Sequence, residues 1–523
     1  KNIKQHSINL LAGFTTQKTS INKDQVTGTD YPSDNITTLN NATLIDKGGT
    51  FTTKNQIGLI SYLGRITYAY ANKYLLSASM RADGSSYFAP GNKWGSFPSI
   101  SAGWVVSQEK FMDKVKWLNN LKLRASYGAT GNNRITDFAW LDLLYSANYP
   151  FGSGNGTSTS GQGASASFLG NPDITWERTF SNNFGLDLSI LKNKISLSVD
   201  VYESNTEKLL LQQSAMAFTG VPQFWNNNGS LKNNGIEVEL NTKNINKKDF
   251  KWSTSFNISH TQNKVTELGK EAYLLNYGER VEVYQSKLGE PLVQYFGYKT
   301  DGIWLSQAQI DDAKAKGLTS NLTNVFTPGG LKLVDINGDN VLDANDRTTI
   351  GNPYPDFTWG MTNTINFKAI DLSFSFQGIQ GGKIINGDQN YSEAQRTVSA
   401  YNTNRWVSAM YPGDGKTPTG VGSGGFNWML TDYVVDDASY YSLRDVVVGL
   451  TLPKSTIKKL GLSSARIYFS AQNLFFKFAD NYNGINPEAR SNNGPYASSL
   501  IDGYQRGGFP INKTFLFGAD INF

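Results

Sequence analysis

Apolar and polar side chains alternate with a period of two along much of the chain. Near the C-terminal end Phe515, Phe517, Ala519, Ile521 and Phe523 alternate with Leu516, Gly518, Asp520 and Asn522. Phe184, Leu186, Leu188 and Ile190 do the same against Asn183, Gly185, Asp187 and Ser189, and Ile195, Leu197, Val199 and Val201 against Ser196, Ser198, Asp200 and Tyr202. In another stretch Trp252, Thr254, Phe256 and Ile258 face one way and Ser253, Ser255, Asn257 and Ser259 the other. Successive strand residues point to opposite faces, so each segment predicts a strand with one apolar side. About fourteen such segments lie near residues 6–15, 57–70, 73–83, 96–107, 119–130, 177–190, 194–205, 228–243, 249–263, 357–368, 370–381, 440–452, 463–476 and 513–523. Their size is that of a tilted strand crossing a bilayer, about ten residues.

The connections carry the next inference. Short ones fall at Ala71-Asn72-Lys73, Gln108–Leu118, Leu191–Asn193, Asn244–Lys248, Lys368-Ala369 and Pro453–Leu462. Between them come long ones at 16–56, 84–95, 131–176, 206–227, 264–356, 382–439 and 477–512. Short and long alternate without a break, which places all long loops at one end of the strands. A soluble sandwich has no reason for that asymmetry, whereas an outer-membrane barrel pairs tight periplasmic turns with long external loops. Lipid offers no partner for backbone N–H and C=O groups, so spanning strands must close on themselves. The competing soluble reading, a propeller, calls for shorter strands at regular spacing. The expected fold class is therefore all-β, a transmembrane antiparallel β-barrel.

Composition agrees. Aromatics make up 13% of the chain, charged residues only 17%, and Gly 51 residues, which suits strands and turns better than helices. No run approaches the length of a membrane helix. Cys is absent, which excludes disulfides and thiolate metal sites. A net charge of +5 without a basic run gives no reason to expect nucleic acid as a partner. The opening KNIKQHSINLLAGF has no apolar core or cleavage site of a signal peptide. An outer-membrane protein needs such a peptide, so the expectation is a fragment that begins inside a longer protein.

Several blocks in order resemble one family. Tyr70 to Leu76 (YANKYLL) leads to Arg81 to Phe88 (RADGSSYF), and Trp94 to Ser99 (WGSFPS) continues through Gly103-Trp104. Leu121 to Gly128 (LKLRASYG) with Thr130-Gly131-Asn132, Asn171 to Glu177 (NPDITWE) and Asn226 to Glu239 follow. Together they resemble the SusC/RagA type of TonB-dependent outer-membrane transporter across essentially the whole chain. The resemblance implies the C-terminal part of a barrel of about 22 strands, with a plug domain and about eight strands outside these residues. A closed fourteen-stranded barrel is the alternative. It further implies import of an oligosaccharide or peptide, energised by a TonB complex through the plug, with a SusD-like surface lipoprotein as lid and outer-membrane lipid around the wall. The rival reading is a barrel of the same ancestry serving as a structural or assembly-complex subunit.

Local chemistry adds one candidate ion site. The run from Asp335 to Asp346 (DINGDNVLDAND) offers Asp335, Asn337, Asp339, the Val341 carbonyl, Asp343 and Asp346 at positions 1, 3, 5, 7, 9 and 12 of a twelve-residue loop. Hard oxygens at that spacing suit a structural Ca²⁺. Asn340 stands where Gly usually permits the turn, Asp346 replaces a longer Glu, and Asx turns without metal are the competing reading. Ser306 to Lys316 reads as an amphipathic helix capped by Ser306, which makes 264–356 an external loop subdomain containing the calcium-like loop 335–346. Glu237 and Glu239 share a strand face opposite Ile236, Val238 and Leu240, so they read as lumen-facing rather than catalytic. His6 and His260 read as rim residues. Trp140, Tyr145, Tyr149, Phe151, Phe218, Phe224, Trp225, Trp406, Tyr411, Phe426 and Trp428 offer flat faces for sugar or peptide, with loop packing as the plainer reading. No nucleophile, phosphate or zinc motif is present, so an enzyme is not expected.

Overall fold

The computed structural model describes residues 2–3, 5–36, 38–151, 159–214, 219–221, 223–269, 273–278, 282–389, 404–419, 429–459, 461–490 and 498–523. Fourteen long strands dominate it: β1 (His6–Thr29), β2 (Leu44–Tyr70), β3 (Tyr74–Ser85), β4 (Trp94–Val105), β5 (Leu118–Asn132), β6 (Glu177–Ile190) and β7 (Ile195–Glu207) make the first half. β8 (Ser230–Asn246), β9 (Phe250–Glu267), β10 (Phe357–Phe367), β11 (Ile370–Gln380), β12 (Tyr440–Thr451), β13 (Ser464–Phe478) and β14 (Thr514–Asn522) complete it. They follow one another in a single sheet in chain order, preceded by the two-residue strand Asn2–Ile3. Each of the fourteen alternating segments is a strand.

One long connection differs from the sequence reading. Residues 16–56 were expected to form a loop, yet β1 and β2 stay paired up to Thr29↔Leu44, with one irregularity after Gln25. The apolar alternation stops near Phe14, but Thr and Ser continue, and a ribbon with two polar faces needs no core to justify its ladder. The turn at Ala71-Asn72 holds φ of 51° and 56°, and Lys73 N–H closes it on the Tyr70 carbonyl at 2.9 Å. Both central residues of this turn are left-handed, as in a type I′ turn, and Lys73 completes a three-residue connection between Tyr70 and Tyr74. Leu191, Lys192 and Asn193 are likewise left-handed.

By internal contacts the chain forms two units, one of residues 1–103, 126–182 and 205–230, the other of 104–125, 183–204 and 231–523. In the first, Ile8, Leu10 and Phe14 of β1 pair with Tyr68, Ile66 and Tyr62 of β2, which pair with Leu76, Ala78 and Ala82 of β3. That face is apolar; the other carries Ser61, Arg81 and Asp83, with Arg81 Nε donating to Asp83 at 2.8 Å. A core of Phe88, Phe97, Ile135, Ile174, Trp176 and Leu210 fills the loop end of this unit.

In the second unit, register carries one apolar band across six strands. Trp252 pairs with Ile365, Ile365 with Leu372, Leu372 with Val448, Val448 with Phe469 and Phe469 with Phe517. Thr254 interrupts the band, and its hydroxyl donates to Asn363 Oδ1 at 2.7 Å while Trp252 Nε1 donates to the same oxygen at 3.0 Å. The polar group is thus satisfied where water is scarce.

The loops after β9, β11 and β13 fold together. Tyr273–Tyr277, Val283–Lys287, Gln294–Gly297 and Thr348–Gly351 make a four-stranded sheet. Lys383–Asn386 pairs with Val435–Asp437 on one side and Tyr504–Gln505 on the other. Tyr284, Val293, Tyr295, Ile385, Leu430, Val434, Ile501 and Tyr504 share one buried cluster. The body expected from 264–356 therefore includes described parts of 382–439 and 477–512, because the short strands of the first loop share their buried cluster with Ile385, Leu430, Val434, Ile501 and Tyr504. Helix α1 (Gln307–Ala315) lies within it, with the Ser306 hydroxyl accepting from Gln309 N–H at 3.4 Å.

Candidate functional site

The polar face of the wall is dense in hydroxyls, amides and clamped charges. Thr362 and Ser375 hydroxyls meet at 2.9 Å, Ser259 and Thr358 at 2.8 Å, and Ser189 and Ser196 at 3.0 Å. Long side chains lie flat on this face because a glycine sits beneath them. Arg124 of β5 crosses over Gly185 of β6, whose missing Cβ leaves room for the guanidinium. It makes a two-pronged contact with Asp187 at 2.9 and 3.0 Å and another with Asp200 of β7 at 2.9 Å. Ser198 donates to Asp187 at 3.0 Å. Tyr202 crosses Gly235 of β8 in the same way, and its hydroxyl meets Thr261 of β9 at 2.7 Å. Arg466 crosses Gly449 to clamp Asp371 at 2.6 and 3.0 Å. Fixed forks of this kind hold strands two apart in register while keeping charge off the apolar face. Sequence reasoning placed Asp187 and Asp200 on the correct face but did not find Arg124, which joins them; a Gly in phase with the acid was the available signal.

Glu237 and Glu239 are exposed on the same phase as Gly235, the polar face, and Glu239 accepts from Asn241 at 2.7 Å. His6 bonds the Tyr68 hydroxyl at 2.8 Å and His260 the Asp356 carbonyl. Both are exposed on the apolar phase; His6 opens β1, whereas His260 lies within β9 just past its last pair with β10, and they share no partner.

In the loop body, the calcium-like run folds on its own amides. Asp335 accepts from Gly338 N–H at 2.7 Å and Asn340 N–H at 2.8 Å, Asn337 from Asp339 N–H at 3.0 Å, and Asp339 from Val341 N–H at 2.8 Å. Asp343 accepts from Asn345 N–H at 2.7 Å. Asp346 is fully buried and takes Ile336 N–H and Asp343 N–H, both at 2.9 Å. Asn340 adopts φ of 62°, so it makes the turn that Gly would otherwise make. No cluster of three or more His, Asp or Glu side chains with metal-binding geometry occurs among the described residues.

Of the five singled-out loop aromatics whose side chains are described, three are packed rather than presented. Trp140 and Trp225 lie against the first unit's core, and Trp406 packs on Ile303 and Leu331 with its Nε1 donating to the Leu305 carbonyl at 3.0 Å. Phe224 is half-buried, while Tyr411 is 67% exposed. Phe218, Phe426 and Trp428, and the side chains of Tyr145, Tyr149 and Phe151, lie outside the described residues. The sequence also gave no hint of a buried node at Asp436, which accepts from Asn386 Nδ2 and Asn483 N–H, each at 3.0 Å. Burial pushes the Asp436 carboxyl above its ordinary range against those bonds.

The family model described as "TonB dependent receptor-like, beta-barrel" matches residues 4–474. The chain belongs to this family. TonB-dependent receptor P3 of Formosa agariphila is 31% identical over 536 residues, covering 100% of the chain and 51% of the relative. TonB-dependent receptor SusC of Bacteroides thetaiotaomicron is 30% identical over 480 residues, covering 89% of the chain and 44% of the relative. The structure of the RagAB peptide transporter superposes with a TM-score of 0.79 at 22% identity, over 100% of the chain and 54% of its counterpart. The fold and these relatives make the chain a SusC/RagA-type barrel portion of an outer-membrane receptor. It spans about half the length of the curated relatives it matches.

Membership gives the two faces their solvents. The apolar face meets lipid, edged by two aromatic belts in the first unit. His6, Tyr68, Tyr70 and Tyr74 form one and Phe14, Tyr62 and Trp94 the other. Tyr62 and Tyr70 are about 27 Å apart along β2 at ~3.4 Å per residue. At a tilt of ~40° that is about 20 Å of height, close to the ~25 Å apolar band of such barrels.

Proposed function

We propose that this chain supplies the wall and the external loops of a TonB-energised importer for an oligosaccharide or peptide. The observation that carries it is the loop body: three long loops from one end of the strands share a single core above a wall lined with hydroxyls and amides. Such a body gives a stable platform for a SusD-like lipoprotein lid, and such a wall exchanges hydrogen bonds with a sugar or peptide without gripping it. The resemblance assigns gating and energy coupling to a plug outside these residues. The chain's part is binding and passage rather than bond-making.

The reading requires the loop body to face outward. Single cysteines at Asp312 or Asp339 are expected to react with an impermeant maleimide on intact cells, and cysteines at Asn72, Asn193 or Lys247 to react only after permeabilisation. All five positions are exposed, so burial would not explain a difference. Equal labelling of both sets overturns the orientation. Uptake of labelled oligosaccharide or peptide by cells carrying the full receptor, abolished by a protonophore, tests transport itself; binding without energised uptake would favour a structural subunit.

For the loop 335–346 we propose a structural Ca²⁺, supported by its oxygen-only donors and the left-handed turn at Asn340. Carboxylates that accept from amides retain lone pairs for a cation. Chelation is expected to expose this loop to protease cleavage and added Ca²⁺ to restore resistance, with Asp335→Asn insensitive to both. Identical cleavage with and without chelator would leave the Asx turns as its only support.

A further inference from the structure

An outward groove runs between β1, β2 and β3 just past the aromatic belt of Phe14, Tyr62 and Trp94. Its volume is about 450 Å³, and its lining includes Lys18, Lys93, Gly58, Ile60 and Trp94 and no carboxylate. The floor is Gly58, above which a side chain would meet nothing within 4 Å. Lys18 is directly opposite Gly58 in the β1–β2 register. On the other side, Gly58 N–H donates to Ser86 Oγ at 2.9 Å, and Ser85 N–H donates to the Lys93 carbonyl at 3.0 Å. Lys93 is thereby anchored at nearly the same level as Lys18. Both ammonium groups belong to exposed residues, and neither makes an ion pair among the described residues.

The lower wall is apolar and flat. Gly84 lets the Trp94 ring lie against β3, 3.0 Å from where a Cβ would stand. Trp94 stacks on Tyr62 at 5.9 Å, and Tyr62 meets Phe14 at 5.2 Å. Lys18 lies about 13 Å beyond Phe14 along the strand, hence ~10 Å further from the membrane centre. That height is the headgroup zone, which a lysine reaches readily by bending back toward the interface.

We propose that this groove binds a phosphate-bearing lipid of the surrounding leaflet, its phosphate between Lys18 and Lys93 and an acyl chain along Trp94, Tyr62 and Phe14. Two lysines without acidic neighbours supply the charge, Gly58 the space, and the aromatic run the reason for a lipid rather than free phosphate. The leaflet is the outer one under the orientation given above, and that part of the proposal rests on it.

The test uses the full-length receptor in detergent, incubated with monophosphoryl lipid A and read by native mass spectrometry. Wild type is expected to retain one lipid, and retention of the dephosphorylated lipid to fall about 25-fold, from two lysines each worth a factor of about five at an anionic lipid surface. K18E/K93E is expected to lose at least as much, since the carboxylates repel the phosphate, and Gly58→Phe to block retention with both charges in place. K247E, in a short turn, should bind as wild type. Heat-modifiable migration confirms folding of each variant; should K18E/K93E fail to fold, the dephosphorylated lipid on wild type and Gly58→Phe still decide. Equal retention of both lipids by wild type, or undiminished retention by K18E/K93E, overturns the site. Displacement of the lipid by millimolar inorganic phosphate overturns the lipid assignment in favour of free phosphate. Retention is read on purified protein and orientation on cells, so failure of one is distinguishable from failure of the other.

Discussion

Tyr295→Ala is expected to melt the loop body while leaving the wall intact. Tyr295 is fully buried at the centre of the cluster shared by the three long loops. Its ring meets Tyr284 edge-on at 5.9 Å, and its hydroxyl donates to the Lys383 carbonyl at 2.8 Å, tying the first loop to the second. Emptying a site of that size costs about 3–5 kcal/mol, a large part of what a small loop assembly can hold in reserve. Tyr295→Phe keeps the volume and forfeits only the hydroxyl bond, about 1 kcal/mol. Limited proteolysis of the full receptor should show new cuts in 264–356, 382–439 and 477–512 for the alanine variant and few for the phenylalanine variant. Heat-modifiable migration should remain that of wild type, since the strands owe their pairing to the sheet ladder. Cuts confined to 264–356 would mean that the three loops do not form one cooperative body.

Val199→Arg is expected to block assembly where Ser198→Arg does not. Val199 lies midway along β7 in phase with Val201, which is 49% exposed on the lipid side. An arginine near the bilayer midplane on that face costs about 2–4 kcal/mol. Ser198 is on the opposite face, where its hydroxyl already meets Asp187 and Arg124. An added guanidinium there finds water and two carboxylates, though it crowds Arg124. The two variants differ by one position, so general sensitivity of β7 to substitution cannot mimic the result. Equal amounts of folded protein in outer-membrane fractions, scored by heat-modifiable migration, would refute the assigned faces.

Much of this protein was legible without coordinates, for a physical reason. A strand between lipid and water must alternate at every step, so Phe515 to Phe523 or Ile195 to Tyr202 state their faces and neighbours locally. Tight turns are equally local: Asn72 and Asn193 tolerate the left-handed backbone that a short connection demands. The ribbon of β1 and β2 escaped because pairing between two polar strands leaves no periodic mark. The joined loop body escaped for a different reason. Tyr284, Tyr295, Ile385, Leu430 and Tyr504 come from three segments separated by whole pairs of strands, and nothing in one segment announces the others. The same holds for Arg124 with Asp187 and Asp200, and for Lys18 with Lys93. Each residue could be assigned to a face by its own sequence, but which charges meet depends on register and on a glycine lying between them. Periodicity in the sequence determined the strands and their two solvents; only tertiary structure decided which loops share a core and which side chains form a site, because those contacts join residues distant along the chain.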